Sequence, residues 1–434
     1  MHDINSTLKP QSTDWLSTND QQIWFNKFKN QDVAGLRFND FERFLEHALY
    51  HHCRPLSRKG EDVGKNEDVA FTNQQEMQLF SRFDTRNDHI IDKEEFIRMC
   101  QDWLSKIYHP SSALVIVDVQ NDFIDGSLAL INGPAKQDGA EVVPIINDLV
   151  EHCRFDTIVY TQDWHPVDHI GFHANLPLRK YTTKNYNGKS DRHSPVKSSE
   201  SNRVAELNGN HDNKIATTAS QEHNDDSNKF KLKRLATKVQ VFDTVLFDDG
   251  RMEQKLWPVH CVQNSWGAEL HPKLKVAPDA VRIYKGTLTN VDAYSAFWDN
   301  MRLNETGLRQ ELKSRKINDV FVCGLALDYC VAASAIDSAN SGFMTFIIDD
   351  ACRGIDNDEM EKRKDEMLSR GIVFINSKEV KNYLLLSKTE KPVGSSDDQS
   401  MQSGDDPLTK ENTMDRKLFL NICLRRALLP SNQH

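Results

Sequence analysis

Cys330 has the sequence surroundings of a catalytic cysteine. It follows the apolar run Val320 to Cys323 and the small-residue turn Gly324 to Ala326, at the point where a helix is expected to begin. A helix N-terminus carries partial positive charge and unpaired backbone N–H groups, which lower the pKa of a thiol and hold an oxyanion. Since a buried cysteine is more often an inert small hydrophobe, the inference depends on the residues that accompany it.

Three further apolar runs that read as buried strands are followed by reactive side chains: Asp118, Asp163 and Lys285. Ligands of open parallel sheets bind at the carboxyl ends of the strands, so we expect these three residues and Cys330 to share one pocket. Partial removal from water raises the pKa of a carboxyl group, which suits Asp118 to accept the thiol proton. A buried Lys285 needs an anionic partner. The alternatives are a capping role for Asp118 and a surface position for Lys285.

A second set of residues is suited to bind a metal ion. Alternation along an extended chain points Asp163 and His165 to the same side, and His260 is the candidate third ligand. One carboxylate and two imidazoles suit zinc, manganese or iron, and the residues themselves do not choose among these ions. An Asp-x-His pair is also typical of surface hydrogen bonding, and Cys261 is a competing soft ligand.

The N-terminal part of the chain contains a repeat. Phenylalanines enclose two twelve-residue stretches, 29–40 and 84–95, and this frame resembles a pair of EF-hands. The acidic residues at positions one, five, nine and twelve of the second stretch are Asp84, Asp88, Asp92 and Glu95. Arg86 replaces the oxygen ligand at position three, and His89 replaces the glycine at position six. Because Arg86 repels a cation, we expect a structural or interaction role, with weak calcium binding as the alternative.

Composition limits the classes of function. The 434 residues include 54 Lys plus Arg and 64 Asp plus Glu, and the net charge of -10 argues against nucleic-acid binding. We expect no membrane span, because no apolar run approaches about 18 residues. The polar N-terminus does not read as a signal peptide, and the eight cysteines lack paired spacing, so a cytoplasmic location is expected. The short basic run 231–234 leaves nuclear entry as an alternative.

Changes in composition divide the chain into several parts. They are a flexible N-terminus (1–17), an all-α EF-hand-like helical pair (18–108), an α/β domain (112–386) with a polar insertion at about 179–228, a disordered linker (387–413) and a short basic tail helix (414–434). The tail helix has two interpretations: it docks on its own domain, or it binds a protein partner or a membrane surface. The EF-hand-like pair is a second candidate surface for a protein partner. The oligomeric state is left open.

Five motifs occur in order within residues 112–385. They are Asp118 to Phe123, Asp163 to Pro166, Trp257 to Cys261, Lys285 to Gly286 with Tyr294 to Phe297, and Gly324 to Cys330. Together they resemble the nicotinamidases of the isochorismatase-like cysteine hydrolases. The resemblance implies a three-layer α/β/α domain around a six-stranded parallel sheet. It also implies the hydrolysis of nicotinamide to nicotinate and ammonia in NAD salvage.

The same resemblance implies a role for each matching residue. The implied catalytic triad consists of Cys330 as nucleophile, Asp118 as general base and acid, and Lys285. The implied metal ligands are Asp163, His165 and His260, with the pyridine nitrogen of the substrate completing the shell. The residues implied to stack on the substrate ring are Phe123, Trp257 and Tyr294. A cis peptide bond between Leu325 and Ala326 is implied to aim the N–H groups of Ala326 and Cys330 at the oxyanion.

Other functions stay open at this point. One is the hydrolysis of a different small amide by the same family. A second is a metal-independent reaction on an isochorismate-like ether, which Cys330 argues against because those relatives lack the nucleophilic cysteine. A third is a calcium-responsive interaction protein with an inactive hydrolase domain, which the complete triad argues against. Release of ammonia from nicotinamide distinguishes among them.

Overall fold

The computed structural model describes residues 18–50, 71–183, 191–193, 239–247, 250–386 and 414–429. The predicted flexible N-terminus, the disordered linker at 387–413, the basic run 231–234 and most of the polar insertion lie outside these residues. Within the described part of the chain, no helix is both long enough and apolar enough to cross a membrane.

Residues 18–108 are here called the N-terminal helical segment, and their described parts, 18–50 and 71–108, contain five α-helices and two very short strands. They are α1 (Thr18–Phe28), β1 (Gly35–Leu36), α2 (Phe38–Leu45), α3 (Asn73–Phe83), β2 (Ile91–Asp92), α4 (Lys93–Met99) and α5 (Ser105–Tyr108). Strands β1 and β2 pair antiparallel, with Leu36 opposite Ile91. Each of these residues is the eighth of its twelve-residue stretch, so the two stretches of the repeat face each other.

The remaining helices and strands follow in the α/β part of the chain. They are β3 (Ser112–Val117), α6 (Asn121–Ile124), α7 (Val142–His152), β4 (Thr157–Asp163), β5 (Tyr181–Thr183), β6 (Asp191–His193), β7 (Thr244–Phe247), β8 (Met252–Lys255), β9 (Val281–Lys285), α8 (Leu308–Ser314), β10 (Asp319–Leu325), α9 (Ala332–Asn340), β11 (Met344–Arg353), α10 (Asn357–Ser369), β12 (Val373–Ile375), α11 (Ser377–Leu386) and α12 (Arg416–Leu428).

A six-stranded parallel sheet forms the centre of this domain, which confirms the predicted fold. Its strand order is β12, β11, β10, β3, β4 and β9. Every residue of β3 and β10 is buried, as expected for central strands covered on both faces. Helix α7 packs with α11, and α9 packs with α10, to form the flanking layers. All carboxyl ends of the strands therefore open on one edge, where the reactive side chains are expected.

A second, four-stranded antiparallel sheet has the order β6, β5, β7 and β8. Two of its strands, β5 and β6, lie within the segment 179–228, for which the sequence predicts a polar insertion without regular structure. The reason for the difference is a small apolar core under this sheet, in which Tyr181 packs against Phe247 with ring centroids 6.5 Å apart. β-branched Thr182 and Thr183 are suited to the paired strand β5.

The C-terminal helix α12 is docked on the chain itself, as the first of the two interpretations of the tail expects. It packs against α3. The buried residues of the helix are Phe419, Leu420, Ile422, Cys423, Arg426 and Ala427.

Candidate active site

Four reactive side chains meet at the carboxyl edge of the parallel sheet. Asp118 follows β3, Asp163 ends β4, Lys285 ends β9, and Cys330 lies in a π-helical turn, Leu327–Val331, after β10. The Lys285 Nζ atom lies 2.8 Å from Asp118 Oδ2. The same ammonium group donates a hydrogen bond to Cys330 Sγ at 3.3 Å. The polar atoms of Asp118, Asp163 and Cys330 all lie within 4.8 Å of one another, so the expected shared pocket is formed.

Lys285 is fully buried rather than a surface lysine. Its ammonium group also donates to the Ala293 carbonyl oxygen at 3.1 Å and to Asp163 Oδ1. Burial on its own would lower the pKa of Lys285, but the carboxylates of Asp118 and Asp163 raise it well above its usual value. The side chain is therefore a fixed positive charge at the centre of the site.

Asp118 is held in an unusual backbone conformation beside Lys285. Its φ is 49°, in the left-handed region that non-glycine residues rarely adopt. The Thr161 hydroxyl donates to Asp118 Oδ1 at 2.6 Å, and the Asp118 N–H donates to the Thr161 carbonyl oxygen at 3.2 Å. Complete burial raises the pKa of Asp118 to about 6, although Lys285 opposes the change. A carboxyl group with this pKa can both accept and return a proton near neutral pH, and its contacts are not those of a helix cap.

The expectation that the helix terminus lowers the pKa of Cys330 is wrong. Burial raises the pKa of the thiol well above its usual value; Lys285 lowers it, whereas the carboxylates of Asp118 and Asp163 raise it further. Desolvation of the thiolate is the largest cause of this rise. The resting cysteine is consequently a thiol that needs a base, and Asp118 is the adjacent carboxylate.

The backbone between β10 and Cys330 is fixed by close contacts with neighbouring parts of the chain. The peptide bond between Leu325 and Ala326 is cis, as the family resemblance implies. Gly324 has a φ of 114°, and a Cβ atom there would lie 2.1 Å from the Val117 carbonyl oxygen. Asp328 accepts hydrogen bonds from the N–H groups of Ile355 and Asp356, the latter at 2.9 Å. The backbone that leads into Cys330 is thereby held against β3 and the loop before α10.

Asp163, His165 and His260 form a buried cluster suited to a metal ion. Their ligand atoms lie within 4.8 Å of one another. His165 Nδ1 is 2.9 Å from the Gly286 carbonyl oxygen, and His260 Nδ1 is 2.8 Å from that of Pro258. The Nε2 atoms lie 3.6 and 3.9 Å from Asp163 Oδ2, too far for good hydrogen bonds. Backbone carbonyls thus orient both imidazoles toward one carboxylate oxygen, as in metal sites.

The protonation states of His260 and Asp163 also fit a divalent metal ion. Burial and the neighbouring His165 lower the pKa of His260 to about 4, which keeps its imidazole neutral. Burial opposes ionisation of Asp163, but Lys285 and His165 hold the pKa of this carboxyl group well below its usual range. The thiol of Cys261 points elsewhere, toward the Gly267 carbonyl oxygen at 3.7 Å. Cys261 is therefore not a competing ligand in this arrangement.

The Gly286→Ala variant is expected to lose metal binding. Gly286 has a φ of 62°, and a Cβ atom there would lie 2.3 Å from His165 Cε1, so the imidazole has to move. We expect metal affinity to fall by about tenfold or more, measured as bound metal after dialysis against a weak chelator. Gly307→Ala is the matched control, because Gly307 has a φ of 92° and open space around it. Equal metal content in the two variants would contradict this role of Gly286.

Aromatic side chains form one wall beside the candidate metal ligands. The ring of Phe123 lies 5.6 Å from that of His260, and Trp257 lies 6.5 Å from His260 on another side. Trp257 meets the edge of Tyr294 at 6.3 Å and donates a hydrogen bond to its hydroxyl at 3.2 Å. The three predicted stacking residues are thus brought to one region. Tyr329, which the sequence analysis does not single out, joins them at 4.8 Å from Trp257.

Two further residues contribute to the site but were not predicted to do so from the sequence: Thr161 and Asp122. Thr161, which holds Asp118, reads there as an ordinary β-branched strand residue. Asp122 accepts hydrogen bonds from the N–H groups of Cys261 at 2.7 Å and Ser127 at 2.9 Å. Asp122 thus fixes the backbone next to His260. The sequence signal for it was its place in the Asp118 to Phe123 motif.

Comparison with known proteins identifies the family. The model of the Isochorismatase domain matches residues 201–379. The nicotinamidase of Acinetobacter baylyi is 34% identical over 269 residues, which cover 62% of this chain and 94% of that protein. The chain belongs to the isochorismatase-like nicotinamidase family. The Saccharomyces cerevisiae nicotinamidase is 30% identical over 61% of this chain and 98% of its own length.

Solved structures with similar sequences include other members of the nicotinamidase family. An Acinetobacter baumanii nicotinamidase and pyrazinamidase is 35% identical, covers 62% of this chain and 96% of its own, and has a TM-score of 0.44. A Pyrococcus horikoshii pyrazinamidase in complex with zinc is 25% identical, covers 62% of this chain and 99% of its own, and has a TM-score of 0.38.

Proposed function

We propose that this protein is a nicotinamidase, which hydrolyses nicotinamide to nicotinate and ammonia through a thioester at Cys330 and serves NAD salvage. The observation that carries the proposal is the position of Lys285 Nζ, 2.8 Å from the Asp118 carboxylate and 3.3 Å from the Cys330 thiol. A thiol, a base and a fixed positive charge in one buried site are the components of nucleophilic amide hydrolysis. The curated nicotinamidases with 25 to 34% identity support nicotinamide as the substrate.

In the first half of the reaction, Asp118 takes the proton of the Cys330 thiol and the sulfur attacks the carboxamide carbon. The carbonyl oxygen becomes an oxyanion, for which the N–H groups of Ala326 and Cys330 are the proposed donors. The fixed charge of Lys285 stabilises both the thiolate and the oxyanion. Asp118 then gives its proton to the amide nitrogen, the C–N bond breaks, and ammonia leaves a thioester on Cys330.

The second half of the reaction uses the same residues with water as the nucleophile. Asp118, ionised again, takes a proton from water as its oxygen attacks the thioester carbon. The C–S bond then breaks, and the Asp118 proton returns to the Cys330 sulfur. The sum of both halves is one nicotinamide and one water converted to nicotinic acid and ammonia, which leave as nicotinate and ammonium after the acid gives its proton to ammonia, with the protein unchanged.

Asp163, His165 and His260 would hold one divalent transition metal ion, for which we propose zinc. The donor set of one carboxylate and two imidazoles suits zinc, and waters or substrate would complete the shell. When bound, this ion supplies a Lewis-acidic site for the pyridine nitrogen of the substrate. Asp163 joins the two parts of the site, because its Oδ1 atom contacts Lys285 while its Oδ2 atom faces both histidines.

The substrate ring is proposed to bind against the aromatic wall of Phe123, Trp257, Tyr294 and Tyr329. Phe123 and Trp257 contact the ring of His260, and Tyr294 and Tyr329 contact Trp257, so a flat ring bound against them lies beside the proposed metal ligand. Aromatic faces and edges bind a pyridine ring through offset-stacked or edge-to-face contacts.

The direct test is ammonia release from nicotinamide compared with benzamide, which has the same carboxamide but no ring nitrogen. We expect nicotinamide to be hydrolysed with a kcat/KM at least about 100-fold higher, because only nicotinamide uses the proposed metal contact. Equal rates on both amides would favour the alternative of a different small-amide hydrolase. Absence of ammonia release from either amide in the metal-loaded protein would contradict the proposed function.

A cytoplasmic location is also proposed, with entry into the nucleus left as the alternative. The cysteines in the described part of the chain form no disulfide bonds, as suits a reducing compartment. A catalytic thiol at Cys330 likewise requires that the cysteine stay reduced.

A further inference from the structure

The C-terminal helix α12 lies between the N-terminal helical segment and the parallel sheet. On the side of the N-terminal helical segment, the Trp103 indole N–H donates to the Cys423 carbonyl oxygen at 2.8 Å. Trp103 itself is buried and packs on Phe83 with ring centroids 5.1 Å apart. The N-terminal helical segment thus offers α12 an apolar surface with a polar contact inside it.

The same segment also caps the end of α12. The Arg82 guanidinium donates to the carbonyl oxygens of Ala427 at 3.1 Å and Leu429 at 3.4 Å. Carbonyl groups in the last turn of a helix lack intrahelical donors, and a positive charge there is favourable. Helix α3, which carries Arg82, therefore recognises the C-terminal end of α12 through its backbone.

On its other side, α12 is tied to the parallel sheet by a buried ion pair. Arg426 Nη2 lies 2.7 Å from both carboxylate oxygens of Asp319 and donates to the Tyr383 hydroxyl at 2.8 Å. The Tyr383 hydroxyl donates in turn to Asp319 at 2.7 Å. Asp319 is the first residue of β10, the strand that leads to Cys330. One helix therefore connects the N-terminal helical segment with the strand that positions the nucleophile.

The loop between α3 and α4 contains its own positive charge. The Arg86 guanidinium forms an ion pair with Asp92 and lies 3.8 Å from carboxylate oxygens of Asp88 and Glu95. Glu95 Oε1 additionally accepts hydrogen bonds from the Thr85 N–H at 2.9 Å and hydroxyl at 2.7 Å. Three acidic groups of this loop thus face one guanidinium of the chain itself, and Glu95 is also hydrogen-bonded by it.

The backbone of this loop also forms its turn without glycine. His89, at position six, has a φ of 65°, and its N–H donates to Asp84 Oδ2 at 2.8 Å. The Asp88 N–H donates to Asp84 Oδ1 at 3.2 Å. The left-handed conformation that glycine normally supplies at this position is therefore present, and it is supported by Asp84.

We propose that the N-terminal helical segment is an EF-hand-like helix-binding module whose ligand is helix α12 of the same chain, with Arg86 in place of a calcium ion. The module holds α12 on the parallel sheet through Arg82 and Trp103, while Arg426 makes the contact to Asp319. Docking consequently does not depend on calcium. This role gives a function to the repeat and to the tail helix that amide hydrolysis leaves unexplained.

The experiment uses the full chain with a protease site inserted in the linker 387–413. After cleavage, retention of the tail fragment on the body is measured by gel filtration and its affinity by titration, in chelator and in about 1 mM calcium. We expect the tail to stay bound equally in both buffers. Release of the tail from the otherwise unchanged protein in either buffer would overturn the proposal.

Three variants assign the contacts. Arg426→Gln is expected to weaken tail binding by about tenfold or more, because it leaves Asp319 buried without its cation. Lys417→Gln, an exposed cation on the same helix, is the control and should bind as before. Arg86→Asp is expected to lower the affinity for the tail fragment by about tenfold in chelator, and calcium is expected to restore that affinity. If Arg426→Gln matches Lys417→Gln, or if Arg86→Asp binds the tail normally in chelator, the proposal is wrong.

Discussion

Replacement of Cys330 by alanine is expected to lower kcat for nicotinamide hydrolysis by about 10⁴-fold or more, while nicotinamide still binds. The thiol supplies the atom that forms the thioester, and it is the protein nucleophile that Lys285 contacts beside Asp118. The metal ligands and the aromatic wall are unchanged in this variant, so the binding free energy of the substrate is largely retained. Ammonia release measures the first effect, and calorimetric titration with nicotinamide measures the second.

Cys323→Ala is the matched control for this prediction. Cys323 is buried within β10, opposite Ile116 of β3, whereas Cys330 lies in the turn that follows this strand. We expect this variant to keep kcat within about threefold and to lose only stability, because a small buried side chain has been shortened. A Cys330→Ala protein that retains more than about one hundredth of the activity would remove Cys330 from the role of nucleophile.

The positions of the main site residues could be predicted because they stand at the ends of buried parallel strands. Such strands read as continuous apolar runs, and their carboxyl ends meet at one edge. Asp118, Asp163 and Lys285 needed only this rule to be placed together with Cys330. The rule depends on the strand order, and the observed order puts β3 next to both β4 and β10.

The contacts that position the site residues and shift their pKa values could not be predicted from the sequence, because they join residues that are distant along the chain. Thr161 reaches Asp118 across 43 residues, and only the pairing of β3 with β4 brings them together. The pKa of Cys330 is raised chiefly by burial, which depends on residues from many parts of the domain. The ion pair of Arg426 with Asp319 spans 107 residues, so the basic tail offered no sign that one of its arginines is buried.

Strands of the four-stranded antiparallel sheet could not be predicted from the sequence for a different reason. β5 and β6 are strands of three residues in a polar context, and neither apolar alternation nor a continuous apolar run marks them. Their pairing becomes clear only once β7 is in place, since β5 pairs with it through Thr182 and Thr183. Segments of this kind read as loops until their partners are known.

Replacement of Asp118 by asparagine is expected to lower kcat by about 10³-fold while leaving the protein folded. Asparagine keeps the shape of the side chain and accepts the hydrogen bond from Thr161, but it cannot take a proton from the Cys330 thiol. Because burial keeps that thiol protonated, the first half of the reaction lacks its base. Steady-state ammonia release and thermal melting measure the two properties. Single-turnover experiments should show slow formation of the thioester rather than its accumulation.

The control for Asp118→Asn is Asp125→Asn, which removes a carboxylate that is 63% exposed near the same loop. This variant should keep kcat within about twofold, since an exposed carboxylate contributes little to a buried site. Rapid alkylation of Cys330 by iodoacetamide in the Asp118→Asn protein, at the rate of the unchanged protein, would show that another group removes the thiol proton. Slow alkylation in Asp118→Asn together with normal alkylation in Asp125→Asn places the loss at the proton transfer, because alkylation requires the thiolate but neither the substrate nor the metal site.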